Sequence, residues 1–397
     1  MAASSIAERY LLLGLRLGKH VDGLVDGYFG PAHLQETVDG EERVDPAALV
    51  DEARALTAEV ASFDDDPQRT RWLAGQLEGL LCVAEMVAGS ELPWREAVRR
   101  CYGIDVEETP EDRFAEAHGK LDAALPGDGD VAERLQAWHQ SQNVQPDVVL
   151  PAFAALAEEL RRRTAELVDL PDGERLDAEL VTDKPWAAYN WYLGDLKSLI
   201  EINTDLPKRS YAMAILTAHE GYPGHHTEHA CKEARLLREL GRVECSILMI
   251  HTPECLVSEG IAQTAIERAL GDDWLDRVDE ILRPLGVPFD AARARAVLDA
   301  YQQLEYVSVN VAYFASERGW TTEECVDYYR RWALAEDDRA RKSVEFATHP
   351  IWSIYVPTYS HGYELVRAYA ARSEDAFRRL LTEQVTTADL LETSATV

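Results

Sequence analysis

The residues best suited to chemistry lie in YAMAILTAHEGYPGHHTEHACKEARLLREL, from Tyr211 to Leu240. His219 is followed by Glu220, and the pair His225-His226 comes after Pro223-Gly224. In the common zinc-hydrolase motif, two histidines four apart on a helix face one ion and the glutamate after the first acts as general base. Here the later histidines stand six and seven positions on. On an unbroken helix, six residues turn a side chain roughly 120° off the face, and seven carry it roughly 10 Å along the axis. Neither suits one zinc ion, whose nitrogen ligands lie about 2.0 to 2.1 Å away. Pro223 removes a backbone donor and its ring clashes with the carbonyl of His219, while Gly224 permits backbone angles closed to other residues. The chain is therefore expected to break at Tyr222-Pro223-Gly224 and bring a later histidine back toward His219.

Periodicity bears on which one. If the helix restarts near His225, Ala230, Ala234, Leu237 and Leu240 form an apolar stripe with His226 on its edge and His225 pointing away, which favours His226 as the ligand. A histidine pair usually needs a carboxylate as third ligand, with the fourth position left for water. Glu259, in CLVSEGIAQTAIERAL, fits as an early helical residue followed by a glycine that allows close packing, with Glu254 and Glu228 as weaker alternatives.

The elements holding these residues read as helical. Apolar residues recur at helical spacing, as at Leu11, Leu12, Leu15 and Leu17 and again at Leu156, Leu160 and Leu167. Breaks fall at Gly30-Pro31, at Asp64-Asp65-Asp66-Pro67, from Pro126 to Asp130, and at Pro171-Asp172-Gly173. One stretch, residues 182–207, is rich in aromatic and β-branched residues around Gly194-Asp195 and reads as a hairpin or short strands. No internal repeat or low-complexity tract interrupts the 397 residues, which are read as a single helical metallohydrolase domain, 1–397.

Seventy-one acidic against forty basic residues give a formal charge of -31, which disfavours nucleic acid and anionic membranes as partners. The six cysteines are scattered without a C-x-x-C pair, no run of about 18 apolar residues occurs, and the N-terminus lacks the features of a secretory signal. The expected location is the cytoplasm.

HEGYPGHHTE, followed by SEGIAQ and preceded by EINTDLP, resembles an uncharacterised bacterial family of predicted zinc peptidases marked by H-E-x-x-P-G-H-H and a later E-G-W-A. The likeness is concentrated between Tyr192 and Glu267, with an echo at YVPTYSHGYELVR, residues 355–367. Ile261 stands where the family shows Trp, and Thr227 replaces an apolar residue. That family is similar in fold to carboxypeptidase Taq-type metallopeptidases and, more distantly, to angiotensin-converting enzyme. The resemblance implies a mainly α, multi-helix zincin-like metallopeptidase fold with a short β-hairpin lining the active-site cleft. It also implies zinc held by His219, by one of His225 and His226, and by Glu259, with Glu220 as base. It suggests that the Glu201–Leu206 segment lines the cleft, that Tyr359 stabilises the oxyanion with His361 as a second candidate, and that Arg367 could hold a substrate carboxylate.

The function expected from these residues is a zinc-dependent hydrolase, either carboxypeptidase-like or an oligopeptidase, that cleaves short peptides through zinc-activated water. A zinc amidase or esterase on a non-peptide small molecule, iron or manganese chemistry on the same ligands, and a non-catalytic helical metal-binding protein are the rival readings.

Overall fold

A computed structural model describes residues 5–62, 66–184 and 186–394. Helices dominate, and five short strands form two small sheets. The break expected from Asp64 to Pro67 is seen only in part, since Asp64 and Asp65 lie outside the described residues; Asp66 caps the helix Pro67–Val87 by accepting from the Gln68 amide. Pro126–Asp130 separates the helices Glu111–Ala124 and Val131–Ser141. Gly30-Pro31 and Pro171-Asp172-Gly173 mark boundaries between a helix and a strand. Of the apolar residues read as helical stripes, Leu11, Leu15, Leu17, Leu156 and Leu160 are buried. The largest buried cluster takes in residues from Tyr10 to Val356. Among the described residues, no helix is long and apolar enough to cross a membrane, and all six cysteines are free.

Strand β1 (Val25–Tyr28) pairs antiparallel with β5 (Ile247–Met249), while β2 (Arg175–Val181), β3 (Ala188–Gly194) and β4 (Lys197–Asn203) form a three-stranded sheet in the order β2-β4-β3. β3 and β4 are an antiparallel hairpin, and β2 lies parallel to β4. Gly194 pairs with Lys197, so Asp195 and Leu196 alone make the turn, and both take positive φ, 54° and 61°. That is the backbone handedness a two-residue hairpin requires. A leucine there is costly, and burial of Leu196 against Tyr192 and Ala230 offsets the cost.

The chain departs from expectation in which strand is available. β4 contains Glu201, Ile202 and Asn203 and is central, paired on both sides, so the Glu201–Leu206 segment offers no free edge. Within this sheet the strand facing the cavity is β3, through Ala188, Tyr189 and Asn190, and β1 and β5 of the other sheet line it too.

Candidate metal centre

The helix Ser210–Glu220 ends at Glu220, residues 221–224 form a bend, and a new helix runs from His225 to Lys232. This is the break expected from Pro223-Gly224, and the peptide bond between Tyr222 and Pro223 is cis. Gly224 is needed for close approach: a Cβ there would lie 1.9 Å from the His219 carbonyl oxygen and 2.5 Å from that of Ala218. The Gly224 amide instead donates to the Ala218 carbonyl at 3.0 Å. The fold-back sets the His219 and His225 rings edge to face, 4.8 Å between centroids.

The third group comes from the helix Pro253–Leu270, which carries Glu259. Gly260 lets this helix meet the helix Pro357–Ala370 backbone to backbone, since a Cβ on Gly260 would fall 2.4 Å from the Gly362 carbonyl oxygen. His219 Nε2 lies 3.7 Å from Glu259 Oε2, and His225 Nε2 lies 3.8 Å from Glu259 Oε1. One ligand atom from each of the three residues falls within 4.8 Å of the others. Tetrahedral zinc with bonds of about 2.0 to 2.2 Å holds its ligand atoms about 3.3 to 3.5 Å apart, so the three side chains must draw together for all to reach one ion. Glu259 is 6% exposed, and its Oε2 has no hydrogen-bond partner. A buried carboxylate oxygen without a donor is costly unless a cation or proton meets it, so the donor set fits a zinc ion.

The surroundings prepare His225 for this role. Its Nδ1 is 3.1 Å from Ser258 Oγ, and Ser258 donates its single hydroxyl proton to Glu228 Oε2 at 2.5 Å. Lys232 donates to Glu228 Oε1 at 2.7 Å and pairs with Glu254 as well, keeping Glu228 an acceptor. The His225 Nδ1 must therefore donate to Ser258, which leaves the Nε2 lone pair facing Glu259. Burial lowers the pKa of His219 to about 4 and holds His225 well below its usual range, His219 and His229 adding to the effect there. Both rings are neutral, as metal ligands must be.

The preference for His226 is corrected. His226 is fully buried, with Nδ1 2.9 Å from Ser198 Oγ and Nε2 2.8 Å from Glu174 Oε2, so both nitrogens are already engaged. Glu174 also accepts from Tyr222 and Arg161. Burial pushes the Glu174 carboxyl up, but the hydrogen bonds from His226, Tyr222 and Arg161 outweigh it and bring the pKa to about 2. The stripe did mark the buried face, since His226 and Ala230 are both buried, but burial did not bring ligation; past them residues Glu233–Glu239 form a π-helix, whose wider turn changes the phase and leaves Leu240 47% exposed. The inward face carries His226, Glu228, Lys232 and Glu233.

Glu220 lines the same cavity as His219, His225 and Glu259, and so do Tyr355 and Tyr359. Burial, then the charges of Glu259 and Asp26, raise the Glu220 pKa to about 8. Burial raises that of Glu259 to about 7, the Tyr355 hydrogen bond opposing it. A cation between these carboxylates would draw both back down. Tyr355 donates to Glu259 Oε1 at 2.5 Å, leaving Oε2 for the ion, and its ring meets Tyr359 edge to face at 5.3 Å. Sequence reasoning missed Tyr355, whose signal was its spacing four residues before Tyr359.

Two other expected residues fall outside the cavity, and a third, Glu254, lines it with other partners. His361 is absent from the cavity wall, with its ring against Tyr306 and Nδ1 3.2 Å from Ser360 Oγ. Arg367 is also outside the wall; its side chain is 64% exposed and lies 3.9 Å from Glu267. Glu254 receives hydrogen bonds from Trp72 and Lys232, which leaves it outside the ligand set. His229 shares the cavity and stacks on His225 at 5.8 Å, a residue the sequence reading did not single out.

No family model matches the chain, and no curated protein matches it either. Among solved structures, the fold is similar to that of a protein from Colwellia psychrerythraea proposed to be a lipoprotein, with a TM-score of 0.54 and 16% identity. That alignment covers 88% of this chain and 66% of the other, so the chain spans just under two thirds of that protein's length. A protein of unknown function from Shewanella oneidensis, also proposed to be a lipoprotein, aligns with a TM-score of 0.48 and 12% identity over 91% of this chain and 76% of its own. At such identities the first likeness extends to fold alone.

Proposed function

We propose that this chain is a zinc-dependent hydrolase of the metallopeptidase type, acting on short peptides within a zincin-like helical fold. The observation that carries the reading is the convergence of His219, His225 and Glu259 on one point beside Glu220, with Glu259 Oε2 unpartnered. Zinc bound there would supply a Lewis acid and an acidified water. Glu220 takes the proton of the attacking water on its carboxylate and returns it to the leaving nitrogen. The Tyr359 hydroxyl donates to the oxyanion that develops on the carbonyl. Tyr355 holds Glu259 in place, and Ser258 fixes the tautomer of His225. The cavity encloses about 260 Å³, at the low end for a small-molecule site, which suits short substrates over folded chains.

The test is metal content together with turnover on a mixed peptide library. Glu220→Gln is expected to keep stoichiometric zinc while lowering turnover about 10² to 10⁴-fold. Undiminished turnover, or loss of zinc on this change, would remove Glu220 from the base role.

A further inference from the structure

We propose that the cavity takes its substrate by a free α-amino group, with Asp26 as the carboxylate that binds the ammonium and Asn190 Oδ1 as a second acceptor beside it. The inference rests on the hydrolase reading for the chemical step after binding, whereas the binding preference stands on the cavity itself.

The charge inventory of the wall is one-sided. Asp26, Glu220 and Glu259 line the cavity, as do Glu228 and Glu254, and Lys232 is the single Lys or Arg among the described lining residues. Lys232 is already held by Glu228 and Glu254. One divalent ion against Asp26, Glu220 and Glu259 still leaves negative charge, so a further cation is favoured and a substrate carboxylate is repelled. Arg367, the residue expected to hold a carboxylate, lies outside this wall.

Of two unpartnered acceptors in the wall, one is left for a ligand that donates. Glu259, more than nine-tenths buried, has an unpartnered Oε2 in the cavity, which the ion satisfies. Asn190 donates from Nδ2 to the Glu220 carbonyl oxygen at 2.6 Å, fixing the amide, yet its Oδ1 is buried with no partner. Asp26, at the rim on β1, accepts from the Tyr189 hydroxyl of β3, and Asp26, Tyr189 and Asn190 all line the cavity. A protonated amine has three donors and meets such acceptors well. Trp186 and Tyr189 lie in the same wall with ring centroids 5.0 Å apart, an apolar surface for the side chain on the amine-bearing carbon.

Binding to the zinc-loaded full chain, followed by calorimetry, tests this without reference to turnover. The probes are phenylalaninamide, with a free amine and no carboxylate, its N-acetyl derivative, which has neither charge, and N-acetylphenylalanine, which has only the carboxylate. Phenylalaninamide is expected to bind at least about tenfold tighter than either acetylated probe. In Asp26→Asn that advantage is expected to fall below about threefold, and Asp26→Glu should restore part of it. Equal affinity for the three probes, or preference for N-acetylphenylalanine, overturns the proposal on the wild-type protein alone. An unchanged preference in a folded Asp26→Asn overturns the assignment to Asp26. Tight amine binding without hydrolysis of any peptide would count against the hydrolase reading and leave this one standing.

Discussion

The sharpest division of labour in the site is between two adjacent histidines, and separate substitutions expose it. His225→Ala removes one of the three ligands proposed above. His226→Gln removes a partner from Glu174, whose side chain is 1% exposed, and from Ser198. Losing a hydrogen bond to a buried charged group costs about 1.5–3 kcal/mol, and the low end applies because Tyr222 and Arg161 still donate to Glu174. In the wild type, free zinc at a hundred times its dissociation constant should add about 2.7 kcal/mol to stability. Urea unfolding with and without zinc, paired with chelator competition for the metal, reads both quantities. His226→Gln is expected to lose stability in either condition and to keep the zinc increment. His225→Ala is expected to lose the increment with little change in the metal-free stability. A folded His226→Gln that no longer responds to zinc, beside a His225→Ala that does, would refute the assignment and return the ligand role to His226.

Tyr359→Phe should lower turnover about 10²-fold with zinc content and substrate affinity little changed, since the phenol acts on charge that develops during reaction; steady-state kinetics on a cleaved peptide would show it. Gly224→Ala places a methyl group 1.9 Å from the His219 carbonyl oxygen, so the fold-back must open and zinc affinity should fall about 10- to 100-fold, measured by chelator competition. Gly260→Ala puts a Cβ 2.4 Å from the Gly362 carbonyl oxygen and should destabilise the chain by about 1–3 kcal/mol in denaturant unfolding.

Much of this site could be read along the chain because its local signals were backbone signals. Pro223 and Gly224 declared the break between two helices, and Glu259-Gly260 declared a carboxylate at a close helix crossing. The β3–β4 hairpin was legible from aromatic and β-branched residues around its turn. β2 also carried a signal, the alternation of Leu176, Ala178 and Leu180 with charged residues, that passed unused. What stayed hidden depends on contacts distant in sequence. Glu174 and Ser198 claim His226 from another part of the chain, and Asp26 reaches the cavity from β1 near the N-terminus. The ligand on the second helix was misassigned because apolar periodicity finds the buried side and not what that side does. Here the buried side holds Glu228, Lys232 and Glu233, satisfied by one another and by Ser258, Glu254 and Arg238.

A histidine pair at the start of a helix looks redundant, yet successive side chains on a helix point about 100° apart and cannot reach the same ion. The geometry gives each a separate use. His226 turns inward and pins the second helix to the sheet through Ser198 of β4 and to Glu174 just before β2. His225 then has its direction set by a helix that cannot rotate, and Ser258, one residue before Glu259, orients its ring through Nδ1. The proposed third ligand therefore arrives on the same helix that fixes the second. A metal centre built this way draws its precision from the buried polar contacts behind the histidines, which is where substitutions distant from the ion should first be felt.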